Sequence, residues 1–467
     1  MNYKEAVAWL ESLPNLDHPP LVRNSRPHMT PESCRAFLTT LGIDPDGKNN
    51  KRPTGLVHIT GSKGKGSTTT MLSSVLNELD GPSAHFISPH LRSHTERINL
   101  ASTEIKEEEF AAAVSKLKKK LEQLDQESDR WSEPGSISLF YALIALFLSL
   151  SGEDDEKRWH KWRVMEVGLG GLKDATNIFE KKELCIFTPI HLEHRSFLGK
   201  DLKAITLNKA GIIKEKSRVL VAKQVFEPVV SWLKERTEEM DGEFLVVEDH
   251  YRMEKMQVHG DRQSFVLNGP SGKQEFWTRM IGEHQVINAT TTIAAVDFLN
   301  IKNSTTRGTS SRTELINKAF MSARLPGRFE VLKREPLLIA DGAHTGSSAR
   351  LLKKFISEHY SYQDLHLILA LGADKEVVSI LEALLPGAKR ITVTSTGKHN
   401  SLSAMELAKK IKESQPQAPD PVAIENLDEA LSLALDTARK DDLILVTGSL
   451  YAAVEASSIF KQNFEGD

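Results

Sequence analysis

Cysteine is nearly absent from this chain: 467 residues carry only Cys34 and Cys185. They lie far apart and outside any C-x-x-C pair, which excludes a disulfide framework or a cysteine-held metal and fits a reducing compartment. An excess of charge is also missing. With 60 basic and 63 acidic residues the formal net charge is −3, so no global field gathers nucleic acid or an anionic membrane, and any bound anion must be held locally. Nor is there a membrane-length apolar run. The most apolar stretch, "ISLFYALIALFLSL" from Ile137 to Leu150, falls short of the ~20 residues a span needs and reads as a buried helix. The first residues, "MNYKEAVAWLESL", are amphipathic and include acids, unlike a secretory signal or an Arg-rich import leader. The expectation is a cytoplasmic protein, with an organellar copy left open.

What is present is enough for two or three domains: 40% of residues are hydrophobic, so each domain has material for its own core. From Leu56 onward, short β-branched runs alternate with helical patterns: "LVHIT", "AHFIS", "RVMEV", "LCIFTPI", "RVLVA" and "FLVV". This alternation predicts a mainly parallel sheet flanked by helices. Between Tyr251 and Arg279, shorter runs with glycine turns predict a few antiparallel strands, followed by a helix from about Gln285 to Leu299. The Ser/Thr-rich "NIKNSTTRGTSSRTE" reads as a linker. Strand and helix then alternate again through "PLLIADG", "LHLILALG", "RITVTST", "PVAIE" and "DLILVTGS". The expected division is 1–308, a linker at 309–325, and a second α/β domain at 326–467. In open sheets of this kind ligands bind beyond the carboxyl ends of the strands.

The chemistry-bearing residues follow such runs. "HITGSKGKGST" joins a strand to a helix, and Gly61, Gly64 and Gly66 allow backbone N–H groups to turn inward over phosphate oxygens. Against G-x-x-x-x-G-K-[ST], Ile59 occupies the first glycine position and Gly66 separates Lys65 from Ser67, so the standard loop does not match. A solvated basic turn is the alternative. Glu166 in "VMEVGLGG" comes at the end of a buried strand, where a carboxylate needs a partner or a metal. His191, Glu193 and His194 end the next strand, but no further Cys or His has zinc-ligand spacing. Arg328 and Asp341 place a guanidinium and a carboxylate in the second domain, unless they serve as capping or surface residues.

The order of "HITGSKGKGST", "SPHL" with "ERIN", "EVGLGGLKDATN", "HLEHRSFLG", "NKAGIIK", "GEHQVINA", "LPGRFEVL", "DGAHTG", "ADKE" and "TGSLY" resembles the folylpolyglutamate synthase and dihydrofolate synthase family of the Mur ligase superfamily. The likeness runs from Tyr3 to about Val454. It implies an α/β fold: an N-terminal P-loop ATPase domain with a mostly parallel sheet, and a second, Rossmann-like domain. It also implies that ATP phosphorylates a substrate carboxylate and that L-glutamate's amine attacks the acyl phosphate, a reaction resting on positioning and charge neutralisation. By motif, Gly61, Gly64, Lys65, Gly66, Ser67 and Thr68 hold phosphates, and Ser67 with Glu166 holds one magnesium ion. His194 and a carbamylated Lys209 hold a second magnesium ion, and potassium is a further implied cation. Gln285 and Asn288 match the adenine side, while Arg328, Asp341 and His344 match the second domain's contribution to phosphate and ribose. Ser88, Pro89, His90 and Asp174 match the pterin end, and Lys375 a lysine near the incoming glutamate. Without the resemblance, Lys209 reads as a solvated or phosphate-pairing lysine and "DATN" as an Asx turn.

Four positions depart from the family pattern. Glu193 replaces an aspartate, Thr345 and Gly346 replace Asn-Pro, and Tyr141 stands where bacterial members carry a Glu near the pteroate. "DGAHTG" with "GSLY" looks closer to plant and fungal dihydrofolate synthases than to long-chain polyglutamylating enzymes, a likeness that implies dihydropteroate as acceptor over tetrahydrofolate. The rivals are polyglutamylation, a protein doing both reactions, and a nucleotide-binding module without ligase activity. The implied partners are small molecules only, with no nucleic acid or membrane, and a monomer.

Overall fold

Aliphatic and β-branched runs bounded by glycine or polar residues build the strands, and Ser, Thr, Asn and Asp caps start several of the helices. The computed structural model describes residues 1–14, 30–46, 55–127, 137–152, 159–302, 310–373, 377–397 and 401–464. They divide into two compact units. The first comprises Met1–Lys255, Phe265–Phe276 and His284–Ala323; the second comprises Met256–Ser264, Trp277–Glu283 and Arg324–Asp467.

In the first unit, β1 (Gly55–Thr60), β2 (Ser83–Phe86), β3 (Ile98–Leu100), β4 (Thr103–Glu104), β5 (Trp162–Glu166), β6 (Leu184–Phe187), β7 (Arg218–Val221) and β8 (Glu243–Val246) share one sheet. Their order is β4-β3-β2-β5-β1-β6-β7-β8. The strands from β2 to β8 in that order run parallel, and β3 and β4 extend one edge antiparallel. Every residue of β2, β5 and β6 is buried, the pattern of strands covered on both faces. The expected buried helix is Leu139–Gly152. Tyr141 belongs to its packing: the ring stacks on Phe37 and the hydroxyl donates to Thr30 O at 3.0 Å. No helix among the described residues is long and apolar enough to cross a membrane.

The strands expected between Tyr251 and Arg279 are β9 (Arg252–Val258), β10 (Gln263–Gly269) and β11 (Gly272–Thr278), a separate three-stranded sheet. The linker expectation needs correction. Residues Arg312–Ser322 form a helix started by a capping box, Ser311 accepting from Glu314 N and Glu314 from Ser311 N. Ile316, Ala319 and Phe320 are buried, and Lys318 Nζ lies 2.9 Å from Glu78. This helix belongs to the first unit. Its Ser-x-x-Glu start is a capping signature that Ser/Thr-rich composition obscured.

The second unit's sheet contains β12 (Glu330–Arg334), β13 (Leu337–Ala340), β14 (Leu365–Leu369), β15 (Ala388–Val393), β16 (Val422–Ala423) and β17 (Leu443–Thr447), in the order β12-β13-β17-β14-β15-β16. Only β12 is antiparallel to its neighbour. The departure at Thr345 has a local reason: Thr345 caps the helix Gly346–His359, its Oγ1 accepting from Ser348 N at 3.2 Å.

Candidate active site

β1 is hydrogen-bonded between β5 and β6, so the loop leaving Thr60 opens among the carboxyl ends of three parallel strands. That loop is not a solvated turn. Gly61, Ser62 and Ser67 are buried, Ser62 N donates to Pro189 O at 2.8 Å, and Ser62 Oγ accepts from His191 N at 2.9 Å. Gly61 has φ 148° and Gly64 φ 88°. A Cβ on Gly61 would come within 1.9 Å of Thr188 Oγ1, and one on Gly64 within 2.4 Å of Asn288 Oδ1. Both positions therefore require glycine. The helix Lys65–Leu79 begins with no side-chain cap, which leaves its first N–H groups and positive dipole end for an anion. Asn288 Nδ2 donates to Gln285 Oε1 at 3.0 Å, while the buried Gln285 Nε2 has no partner among the described residues. An unsatisfied buried donor beside a glycine cradle suits a nucleotide.

Two lysines converge on this loop. Lys65 Nζ donates to Gly61 O at 3.3 Å and Lys209 Nζ donates to the same oxygen at 2.8 Å. Lys209 is 1% exposed, not the solvated side chain its local sequence implies. Its nearest anion is Glu193, with Oε1 3.2 Å from Nζ. Burial and the neighbouring Lys65 charge push the Lys209 pKa down to about 8, against the pull of Glu193. Burial pushes the Glu193 carboxyl upward, but Lys209, Ser62 and Lys65 outweigh it and hold the carboxyl below its ordinary range. Glu193, not His194, is thus the residue that reaches Lys209. His194 is exposed at φ 46° and starts the short helix Arg195–Leu198.

Glu166 ends β5 and pairs in register with Ile59 of β1. It is 4% exposed and accepts from Ser88 N at 3.0 Å through Oε2. The carboxylate is therefore tied to the start of the Ser88-Pro89-His90 segment, whose Ser88–Pro89 peptide is cis. Glu166 and Ser67 supply oxygen donors of the kind magnesium takes. No group of three or more His, Cys, Asp or Glu side chains converges as a metal site among the described residues. Asp174 is buried, and its acceptor capacity is spent on its own loop. Oδ2 accepts from Leu169 N at 2.7 Å, and Oδ1 from Thr176 N at 2.9 Å and Thr176 Oγ1 at 2.5 Å. This is the Asx-turn reading of "DATN".

In the second unit Asp341 follows β13 directly. Burial raises its pKa, opposed by Arg328 and by the N–H groups of Phe329 and Ala343, at 3.0 and 2.9 Å. Asp341 thus fastens the turn that carries Arg328 and His344, and His344 Nδ1 lies 2.8 Å from Gly342 O. Lys375 falls outside the described residues. Sequence reasoning passed over Ser62, Glu96 and Arg97. The last two sit in "ERIN", at the end of the 3-10 turn His94–Arg97 that leads into β3, and are buried; the polar run "SHTERIN" around them gives no signal of that burial.

Residues 327–450 match the glutamate ligase domain of Mur ligases. The chain is 27% identical over 430 residues to the dihydrofolate synthase/folylpolyglutamate synthase of Mycobacterium tuberculosis, covering 86% of this chain and 85% of that one. It is 28% identical over 420 residues to the dihydrofolate synthetase of Saccharomyces cerevisiae, covering 86% and 92%. The solved Mycobacterium tuberculosis folylpolyglutamate synthase complexed with ADP superposes with a TM-score of 0.79 at 25% identity, covering 98% of each chain. The glycine cradle, the lysine pair and the strand-end carboxylate lie on the motifs named above, and these likenesses are to the folylpolyglutamate synthase/dihydrofolate synthase family of the Mur ligase superfamily.

Proposed function

We propose that this protein is an ATP-dependent ligase that joins L-glutamate to 7,8-dihydropteroate through an acyl phosphate. The observation that carries this reading is the convergence of Lys65 and Lys209 on the carbonyl of Gly61, in a glycine loop whose helix N-terminus is uncapped. Two cations beside free N–H groups suit a reaction whose transferring group and tetrahedral adduct are both anionic. Relatives named dihydrofolate synthase/folylpolyglutamate synthase and dihydrofolate synthetase support the substrate class.

In this reading the loop N–H groups and Lys65 orient the ATP phosphates, and Gln285 offers its buried amide to the base. Ser67 and Glu166 would hold magnesium, which when bound neutralises phosphate charge. Lys209 has two roles open to it: as an ammonium beside the phosphates, or as a carbamate formed when its neutral Nζ adds CO₂ and releases a proton. Its lowered pKa enlarges the neutral fraction near pH 7.5. Ser88, Pro89 and His90 are assigned to the acceptor. Asp174 would have to give up a loop bond to meet a pterin.

The test is ADP release with ATP, magnesium and glutamate, comparing dihydropteroate and tetrahydrofolate at matched concentrations. Greater turnover with dihydropteroate is expected. Equal or greater turnover with tetrahydrofolate would reverse the order of acceptors. ATP binding without turnover on either would establish a binding module instead.

A further inference from the structure

The segment Ser88–Arg92 is held from one side by the two buried charges of "ERIN". Glu96 Oε2 accepts from Leu91 N at 2.8 Å, and Oε1 accepts from Arg92 N at 3.0 Å and Arg92 Nε at 2.8 Å. Arg97, 4% exposed, donates its Nε–H to His90 Nδ1 at 2.8 Å. Its backbone carbonyl accepts from Ile87 N at 3.1 Å. The buried His94 ring lies against His90 with centroids 4.0 Å apart. Burial and the Arg97 charge hold His94 well below the ordinary imidazole range, to about 4, so His90 packs on a neutral ring.

A guanidinium only donates. The Nδ1 atom facing Arg97 must therefore be the lone-pair nitrogen, and the proton of the ring resides on Nε2. We infer that Arg97 is a positioning residue that fixes His90 in the Nε2–H tautomer, presenting one ring N–H as a donor to an acceptor atom of the substrate's heterocycle. This rests on the reading above that the Ser88-Pro89-His90 segment meets the pterin. The ligand feature recognised is a ring nitrogen or exocyclic carbonyl of a flat heterocycle. Glu96 supplies the matching restraint on the backbone, so that ring orientation and loop position are set together.

Two measurements test this. In protein labelled with ¹⁵N-histidine, with His90 assigned by loss of its signals in His90→Gln, long-range ¹H–¹⁵N correlation should show an unprotonated Nδ1 and a protonated Nε2 without any substrate. In the kinetic arm, Arg97→Met should raise the KM for the pterin acceptor about tenfold, the worth of one oriented hydrogen bond. The KM for ATP should stay within twofold. His90→Gln, which keeps an N–H at similar reach, should retain more acceptor affinity than His90→Ala. A proton on Nδ1 in the wild type overturns the inference, and so does an Arg97→Met enzyme with unchanged acceptor KM. Should Arg97→Met not fold, the wild-type spectrum and the Gln-against-Ala comparison decide. Absence of turnover on every pterin would overturn the functional reading, while the substrate-free spectrum would still decide the tautomer.

Discussion

Replacing Lys209 separates the chemistry of the site from its stability. Its pKa falls from the ordinary 10.5 to about 8, which corresponds to roughly 3 kcal/mol against the buried ammonium at about 1.4 kcal/mol per tenfold change. The folded value lies below the unfolded one, so the unfolded chain binds more protons between about pH 8 and 10.5. Stability from this group therefore rises as pH climbs through that window, and the full penalty is present below it. Lys209→Met removes the penalty but takes one donor from Glu193 and one of two from Gly61 O, which keeps Lys65 Nζ at 3.3 Å, a loss of about 1–3 kcal/mol. Ser62 and Lys65 still face Glu193, so the two effects nearly cancel. The variant should melt within about 5 °C of wild type and lose about 10²- to 10³-fold in ADP release. Thermal melts and the ADP assay on one preparation check this. A folded variant with half or more of wild-type activity would refute a role for Lys209 in the reaction. Lys209→Ala then distinguishes the two forms of the lysine: rescue by short carboxylates or bicarbonate means that the working group is an anion, and rescue by short alkylamines that it is a cation.

Three further substitutions probe other parts. Gly64→Ala forces a side chain into φ 88° and against Asn288 Oδ1, at about 1–2 kcal/mol for the backbone alone; ATP affinity by calorimetry should fall at least tenfold. Asp442 is buried, and although burial pushes its carboxyl upward, the N–H groups of Arg439 and Asp364, at 2.7 and 3.1 Å, and His366 hold it below the ordinary range. Its stabilisation is present above the unfolded carboxylate pKa and lost as pH falls through the folded value. Asp442→Asn should cost about 2–3 kcal/mol at pH 7 and flatten the acid limb of stability, measured by urea melts, without altering substrate KM. Tyr141→Phe removes the bond to Thr30 O; it should cost about 1–2 kcal/mol in the same melts and leave the ratio of activities on the two acceptors unchanged, whereas a shifted ratio would put Tyr141 back in the acceptor pocket.

The alternating aliphatic runs predicted the parallel strands of both large sheets, because strands buried on two faces leave an unmistakable apolar block, but not the antiparallel edge strands β3, β4 and β12. Glycine spacing likewise located the loop, since φ values at Gly61 and Gly64 exclude other residues. Contacts that depend on the third dimension were less legible. Glu193 lies in the loop after β6 and Lys209 in the helix Leu202–Ala210, and nothing in "HLEH" or "NKAGIIK" says which acid reaches which base. Likewise "DATN" does not tell that the N–H groups of Leu169 and Thr176 bond the Asp174 carboxylate. Local signals were sometimes outvoted by composition: Ser311 and Glu314 cap a helix inside a stretch that reads as linker.

The order of the first sheet accounts for the rest of the site. In a parallel sheet the carboxyl ends lie on one side, about 4.8 Å apart from strand to strand. β5 stands between β2 and β1, so the residue ending it is next to both the segment after β2 and the loop after β1. Glu166 is that residue, and its bond to Ser88 N is the consequence. A carboxylate in this place cannot serve the phosphate loop alone. Reactions that bring a nucleotide and a second anionic substrate together need such a group, because two phosphate-sized charges approach only when one set of donors and cations screens both. On the proposed reading, the central position of β5, whose run "WRVME" is buried throughout, sets this carboxylate between the nucleotide loop and the acceptor segment.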